Sequence, residues 1–325
     1  MTVFLLRRLA QTALVLLVTS LLVFFGLYVV GDPVEILVNP VADEVERARA
    51  AAALGLDKPI AEQYWVFLSS ALSGNLGTSF VYGQSALEVI VQRMPATLEL
   101  AFLAMVISVS PGVSQDLYAG LRRDSRLAKA VMAGSIVGFS LPTFWVGLIL
   151  ILVFAVQLGW LPSGGRAPTV DVFGLQLSIL HWEGLKYALL PAINLALFKL
   201  SLIIRLTRAQ VREQSLLDYI KFARAKGLSR TRVIGVHLLK NILIPLVTVI
   251  GLELGSVIAF AVVTETIFAW PGMGKLVIDS IFQLDRPVVV AYLLMIVLMF
   301  IVINFVVDVL YTALDPRVRL GDEAG

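Results

Sequence analysis

Residues 218–241 read DYIKFARAKGLSRTRVIGVHLLKN, a basic segment with one glycine near its middle. Four apolar or small residues recur at spacings of four, three and four, as on one face of a helix: Leu216, Ile220, Ala223 and Gly227. Ala223 and Gly227 would let another backbone approach closely. Gly227 also suits a helix end, and Ser229 suits the N-cap of a helix that runs toward Asn241. The segment therefore predicts a short helix, a sharp turn and a second helix.

The chain around this segment has the composition of a membrane protein. Of its 325 residues, 58% are hydrophobic and 15% are charged, whereas soluble domains carry about 25% charged residues. There is no cysteine, which excludes disulfides, thiolate metal sites and thiol catalysis. The two histidines, His181 and His237, argue against a multi-histidine metal site. We therefore expect no cofactor.

Six apolar stretches are long enough to be membrane-spanning helices, which need about 20 residues. They cover residues 9–30, 97–118, 130–157, 185–204, 242–264 and 288–312. The predicted fold class is an all-α polytopic membrane protein with six transmembrane helices. No internal repeat or second soluble domain is evident.

The distribution of basic residues predicts the orientation of these spans. Lysine and arginine concentrate in the loop after the second span and the loop after the fourth: Arg122, Arg123, Arg126 and Lys129, then Arg205, Arg208, Arg212, Lys221, Arg224, Lys226, Arg230, Arg232 and Lys240. The loop at 158–184 has only Arg166, and that at 265–287 has Lys275 and Arg286. Because cytoplasmic loops carry the basic excess, both termini are predicted to be cytoplasmic. The formal net charge of +3 then reflects topology and not nucleic-acid binding.

The segment between the first and second spans, residues 32–95, is then external and acidic. We expect one helix at about 43–54, which Gly55 ends, and another at 60–72, which begins after Pro59. Residues 73–79, SGNLGTS, predict a turn.

Four charged residues fall in or near the predicted spans: Asp116, Lys199, Glu253 and Asp308. Charges inside a membrane are functional candidates by default. Three of the four lie toward cytoplasmic ends, where solvation, pairing or snorkelling explains them. Glu253 lies about midway along the fifth span and is the candidate for a functional role inside the membrane.

Residues 269–276, AWPGMGKL, superficially match a phosphate-binding loop. That loop requires G-x-x-x-x-G-K-[ST], but Ala269 replaces the first glycine and Leu276 replaces the hydroxyl residue. We expect an external turn followed by a re-entrant or interfacial helix. No hydrolase or metalloprotease motif is present, so the chain is not expected to be an enzyme.

The pattern at residues 218–241 leaves two interpretations open, a solvated positive-inside loop or a docking element. The segment resembles the cytoplasmic loop of type I ABC-transporter permeases, in the peptide and nickel importer branch typified by dipeptide and oligopeptide permease B subunits. Asp218, Tyr219, residues 223–227, His237, Leu239 and Asn241 carry this resemblance.

The resemblance extends along the chain in order. Further matching positions are Gly31-Asp32-Pro33, Leu54-Gly55-Leu56-Asp57-Lys58-Pro59, Gln63, Tyr64, Gly77, Ser79, Thr97-Leu98-Glu99-Leu100, Thr264-Glu265, Trp270-Pro271-Gly272, Asp308 and Asp315-Pro316-Arg317. It implies an N-terminal helix and external loop at 1–92, a permease core at 93–312 and a cytoplasmic tail at 313–325.

In such permeases the loop forms a coupling helix that sits in a groove of a cytoplasmic ATPase. The residues that the resemblance assigns to ATPase coupling are Tyr219, Ala223, Arg224, Ala225, Lys226, Gly227, Ser229 and His237. The implied partners are a second homologous permease subunit, two cytoplasmic ATP-binding subunits, an external substrate-binding protein and the lipid bilayer of the bacterial inner membrane.

The branch favours di- or oligopeptides as the imported substrate. Glutathione, a nickel chelate or another small solute remains open, because the binding protein largely selects the ligand in such systems. A different class, an ATP-independent secondary transporter or channel, would need more spans or a homo-oligomer. It would also need midplane ionisable or broken-helix ion sites, for which Glu253 is the only fair candidate in the sequence.

Overall fold

The computed structural model describes residues 2–30, 43–53, 57–121 and 141–314. Parts of the sequence prediction lie outside these ranges, namely the basic loop at 122–129, the beginning of the third span and the end of the C-terminal tail.

The described chain is mostly helical. In chain order, the helices are α1 (Thr2–Val30), α2 (Glu44–Ala53), α3 (Ile60–Leu72), α4 (Ala86–Leu121), α5 (Thr143–Leu150), α6 (Trp182–Gln214), α7 (Asp218–Ala225), α8 (Arg230–Arg232), α9 (Leu239–Ile267), α10 (Met273–Phe282) and α11 (Arg286–Leu314). A π-helical segment, Ile151–Gln157, continues α5, and another, Val233–Leu238, joins α8 to α9. The two predicted external helices correspond to α2 and α3.

Four helices of the described chain contain stretches long and apolar enough to cross a membrane: Ala86–Val113, Trp182–Gln214, Pro245–Ile267 and Arg286–Leu310. They correspond to the second, fourth, fifth and sixth predicted spans. Shorter apolar stretches, Ala10–Gly26 and Thr143–Gln157, lie in the first and third. The prediction of a helical membrane protein is confirmed, and the count of six spans stays a prediction.

A short β-hairpin in the described part of the chain departs from the all-helical prediction. Strands β1 (Val170–Val172) and β2 (Leu175–Leu177) form an antiparallel hairpin in which Val170 pairs with Leu177. Phe173 and Gly174 have φ values of 53° and 83° at its two-residue turn. Positive φ at both turn positions matches the twist of paired strands. Six residues of this loop therefore pair locally across a two-residue turn.

The packing divides the chain into two units. The first comprises Met1–Met94 and Leu276–Ile301, and the second comprises Pro95–Lys275 and Val302–Gly325.

In the first unit, Asp285 precedes α11 and accepts hydrogen bonds from the Ser79 hydroxyl and, at 3.1 Å, from the Phe80 amide. These bonds attach the predicted turn at 73–79 to the beginning of α11.

In the second unit, a fully buried carboxylate satisfies the N-terminus of α10. Glu265 accepts hydrogen bonds from the Thr97 hydroxyl at 2.7 Å and from the Lys275 amide at 2.9 Å. Thr97 in turn accepts from the Met273 amide at 2.8 Å. A Cβ on Gly272 would collide with the carboxylate, so only glycine leaves room for it there. Glu265 and Thr97 thus bind amides that have no partner within α10 itself.

A second buried carboxylate holds the segment that contains the hairpin. Glu99 of α4 pairs with Arg166 at 2.7 Å and accepts from the Ser178 hydroxyl at 3.0 Å. The Arg166 guanidinium also lies 5.8 Å from the ring centroid of Trp270, whose indole N–H donates to the Ala96 carbonyl at 2.9 Å. Arg166 therefore connects the loop at 158–184 to α4.

We expect Arg166→Ala to lower the free energy of unfolding by about 3–5 kcal/mol, the range for breaking a buried ion pair. The physical reason is that the Glu99 carboxyl group, with a side chain 1% exposed, would stay buried and lose its cation. Denaturation of the detergent-solubilised protein, followed by circular dichroism, measures the change. Lys58→Ala is the matched control, because its ion pair with Glu62 is about half exposed and should contribute little. An Arg166→Ala variant as stable as the wild type would contradict the expected role.

Candidate functional site

Three residues separate the end of α6 from the beginning of α7. Asp218 lies in its first turn, where a negative charge is favoured by the helix dipole. Lys221 donates a hydrogen bond to Asp218 at 2.8 Å and thereby lowers the pKa of that carboxyl. Both side chains are exposed, so this pair orients the first turn and contributes little to stability.

One face of α7 packs on the chain's own core. Ile220 and Ala223 are 1% and 4% exposed. They belong to a cluster, called here the α7 cluster, with Val211 of α6, Val233 and Leu238 of the π-helical segment, and Ile242 and Leu246 of α9. The predicted apolar stripe is correct at Ile220 and Ala223 and wrong at Leu216, which precedes the helix and is 58% exposed. Ala223 therefore packs against the core of this chain.

The end of α7 is a Schellman turn. The Leu228 amide donates to the Ala223 carbonyl at 3.3 Å, and the Gly227 amide donates to the Arg224 carbonyl at 2.9 Å. Gly227 has a φ of 75°, which favours glycine. Among the described residues, no atom lies within 4 Å of where its Cβ would be. The predicted helix stop is confirmed, but glycine is required by backbone conformation and not by a close approach within this chain.

The predicted restart at Ser229 is also confirmed. Its hydroxyl accepts a hydrogen bond from the Arg232 amide at 3.4 Å and caps α8. His237 is half-buried in the π-helical segment, and its carbonyl accepts from the Asn241 side chain at 2.7 Å. The helical backbone then continues through α9, so the segment leads directly into the predicted fifth span.

Tyr219 links α7 to α6 and α9 by side-chain hydrogen bonds. Its hydroxyl donates to the Gln214 side chain at 2.8 Å, and the Asn241 side chain bonds the same hydroxyl. Burial raises the pKa of the Tyr219 hydroxyl above its ordinary value, so it remains a hydrogen-bond donor at neutral pH.

The opposite face of α7 is exposed and combines an aromatic ring with basic groups. Phe222 is 62% exposed, and the Lys226 ammonium lies 4.6 Å from its ring centroid. Arg224 and Ala225 are exposed beside them. Sequence analysis missed Phe222, although an aromatic residue opposite Ile220 on a helical wheel is the signal that would have found it. Exposed aromatic and basic side chains together are typical of docking surfaces.

Between α6 and α9, Lys199 and Glu253 form an ion pair at 2.5 Å. The Lys199 ammonium also donates to the Ser256 hydroxyl at 2.8 Å, and both charged side chains are less than one-fifth exposed. The predicted span ends at residue 204, which placed Lys199 near its cytoplasmic end. Helix α6 extends to Gln214, so Lys199 lies near the middle of the helix. Of the three explanations offered for Lys199, namely solvation, pairing and snorkelling, the structure shows pairing, and Glu253 is the partner.

The segment at 269–276 does not form a phosphate-binding loop. A turn at Phe268–Ala269 precedes α10, so the predicted turn and helix are both present. The Met273 and Lys275 amides are already bound by Thr97 and Glu265. Within the described residues, no three His, Cys, Asp or Glu side chains are grouped to hold a metal ion.

Comparison with known proteins identifies the family. Residues 117–320 match the family model described as binding-protein-dependent transport system inner membrane component, and residues 1–101 match the model of its N-terminal part. The chain is 42% identical to the di/tripeptide transport system permease protein DppB of Pseudomonas aeruginosa, over 89% of this chain and 90% of that protein. It is 37% identical to the dipeptide transport system permease protein DppB of Escherichia coli K12, over 97% and 98%.

Among solved structures, a chain of the inward-facing MetNI methionine ABC transporter matches with a TM-score of 0.55 and 18% identity. The match covers 70% of this chain and 96% of that chain, and it shows a shared fold. The chain therefore belongs to the inner-membrane components of binding-protein-dependent transport systems, as a type I ABC permease of the branch that contains the DppB proteins.

Proposed function

We propose that this chain forms one half of the translocation path of an ATP-driven importer of di- or oligopeptides. The substrate class is supported by the two DppB relatives, which are named for di- and tripeptide or dipeptide transport and align over nearly their whole lengths. The single structural observation that carries the ATP-driven mechanism is α7, a short helix that packs inward on α6 and α9 and exposes Phe222 and basic groups outward.

The proposed topology has six spans with both termini in the cytoplasm. Residues 1–92 form the N-terminal helix and external loop, 93–312 the permease core and 313–325 a cytoplasmic tail. The proposed complex contains this chain, a second homologous permease, two cytoplasmic ATP-binding subunits and an external substrate-binding protein.

In this complex, α7 is the coupling helix. Closure of the ATP-binding subunits around ATP displaces α7, and the displacement reaches two spans together because the α7 cluster contains residues of both α6 and α9. Arg224, Ala225 and Lys226 belong to the exposed surface. Tyr219, Ala223, Gly227, Ser229 and His237 act by fixing the geometry of the segment that carries it.

Glu253 is proposed to lie in the translocation path, together with Lys199. The pair joins α6 to α9, the two helices that α7 would move, so a change in their separation would alter its contacts.

Two alternatives remain to be tested against this proposal. The same complex could import glutathione, a nickel chelate or another small solute. The chain could instead be an ATP-independent transporter or channel.

We expect the chain to copurify with two ATP-binding subunits and a second permease. In liposomes, the complex should take up labelled di- or tripeptides only when its binding protein and ATP are both present. Competition by glutathione or a nickel chelate would identify another substrate. Peptide flux through this chain alone, without ATP, would contradict the proposal and support the second alternative.

We expect Gly227→Leu to uncouple peptide uptake from ATP hydrolysis. A side chain at this left-handed position costs roughly 1–2 kcal/mol, so the Schellman turn should reorganise and shift α7. Uptake and ATP hydrolysis, measured in the same liposomes, give the number of ATP molecules hydrolysed per peptide. Gly235→Leu is the matched control, because Gly235 is equally open but has no positive φ. A Gly227→Leu variant with wild-type coupling would rule out this role.

We expect Glu253→Gln to change the KM for peptide uptake while the complex stays assembled. The neutral side chain keeps the shape of glutamate and removes the charge that faces Lys199. The double variant Lys199→Gln/Glu253→Gln separates a role of Glu253 in the path from its role as the partner of Lys199. It removes the ammonium group that the single variant leaves unpaired. Unchanged uptake kinetics in the single variant, or full recovery in the double variant, would contradict a place in the path.

A further inference from the structure

Helix α3 packs against the apolar part of α1. The Tyr64 and Ser20 hydroxyls share a hydrogen bond at 2.9 Å. The Phe24 ring lies 5.4 Å from the Tyr64 ring and 5.7 Å from the Phe67 ring, centroid to centroid. Ser20 and Phe24 belong to the apolar stretch Ala10–Gly26. Helix α3 therefore lies beside this apolar stretch and not beyond the end of α1.

The rest of the α3 surface has an apolar stripe and a polar stripe. Trp65 and Leu72, seven residues apart, share one side of the helix and are 67% and 82% exposed. Glu62 and Ser69, also seven apart, form the adjacent stripe, and Glu62 pairs with Lys58 at 2.8 Å. A helix at the depth of an apolar stretch, with a large apolar stripe beside a polar one, has the pattern of an interfacial membrane helix.

The other external helix, α2, lacks this pattern. Its sequence, EVERARAAAA, contains no aromatic residue and begins with two acidic residues in its first turn. Of the two helices α2 and α3, only α3 therefore presents exposed tryptophan and leucine.

We propose that α3 is embedded at the boundary of the outer leaflet, with the Trp65–Leu72 stripe against lipid acyl chains and the Glu62–Ser69 stripe facing water. This inference rests on the proposed topology, in which α1 spans the bilayer and residues 32–95 are external. The contacts of Tyr64 and Phe67 with α1 fix the depth of α3, and a tryptophan at that depth is typical of membrane–water boundaries.

The absence of cysteine in the whole chain makes single-cysteine spin labelling a direct test. Labels are placed at Trp65→Cys and Leu72→Cys in the assembled complex in liposomes, and Ser69→Cys is the matched control on the polar stripe. Leu22→Cys, at an exposed apolar position of α1, is the lipid reference, and Glu46→Cys on α2 is the water reference. Collision rates with oxygen and with a water-soluble nickel chelate are measured for each label.

We expect the oxygen-to-nickel ratio at Trp65 and Leu72 to be severalfold higher than at Glu46 and close to that at Leu22, with Ser69 nearer to Glu46. A water-like ratio at Trp65 and Leu72 would overturn the proposal. So would labels that are immobile and shielded from both reagents, because a protein partner would then cover the stripe. If either result occurs while the ratio at Leu22 is lipid-like, only the proposal for α3 fails. A water-like ratio at Leu22 would instead reject the proposed topology itself.

Discussion

The fold depends on one constraint: a backbone amide or carbonyl in hydrocarbon has no water to bind, so the protein must supply its partner. Long helices satisfy this constraint along their length but not at their ends. The second unit shows how an end is satisfied after α9. The chain turns at Phe268–Ala269, and the amides that begin α10 are bound by Thr97 and Glu265 from two other helices. The break in helical structure between α9 and α10 is stable because side chains complete its hydrogen bonds.

Burial decides which charges of this chain stabilise structure and which are available to a partner. Arg166 and Glu99 are almost fully buried, and each also has a second polar partner, as a buried ion pair requires. The Lys199–Glu253 pair lies between two candidate spans and is completed by Ser256. The charges on α7 are exposed, so they contribute little to folding and remain free to contact the surface of another subunit.

Features encoded by neighbouring residues could be predicted from the sequence. Apolar runs predicted the spans, Pro59 marked the start of α3, and Gly227 with Ser229 marked the turn after α7, because each signal acts within a few residues. Leu216 was misplaced because helical spacing alone does not say where a helix begins. The contact between Thr97 and Glu265 joins residues 168 positions apart, and no periodic pattern contains that information. The pairing of Lys199 with Glu253 could not be predicted for the same reason. That Ala223 faces inward depends on the position of α6 and α9, which the sequence of α7 does not contain.

The π-helical segment at Val233–Leu238 has a consequence for how the sequence of this region is compared with others. A π turn accommodates one extra residue, and one residue corresponds to about 100° of rotation in an α-helix. Residues before Val233 and after Leu238 therefore follow different helical phases, although the backbone between Arg230 and Ile267 is continuous. A single helical wheel drawn through the whole run would assign the faces on one side of the segment incorrectly. An insertion or deletion of one residue between relatives is accommodated more readily here than elsewhere in the run, because it exchanges a π turn for an α turn without rotating the span.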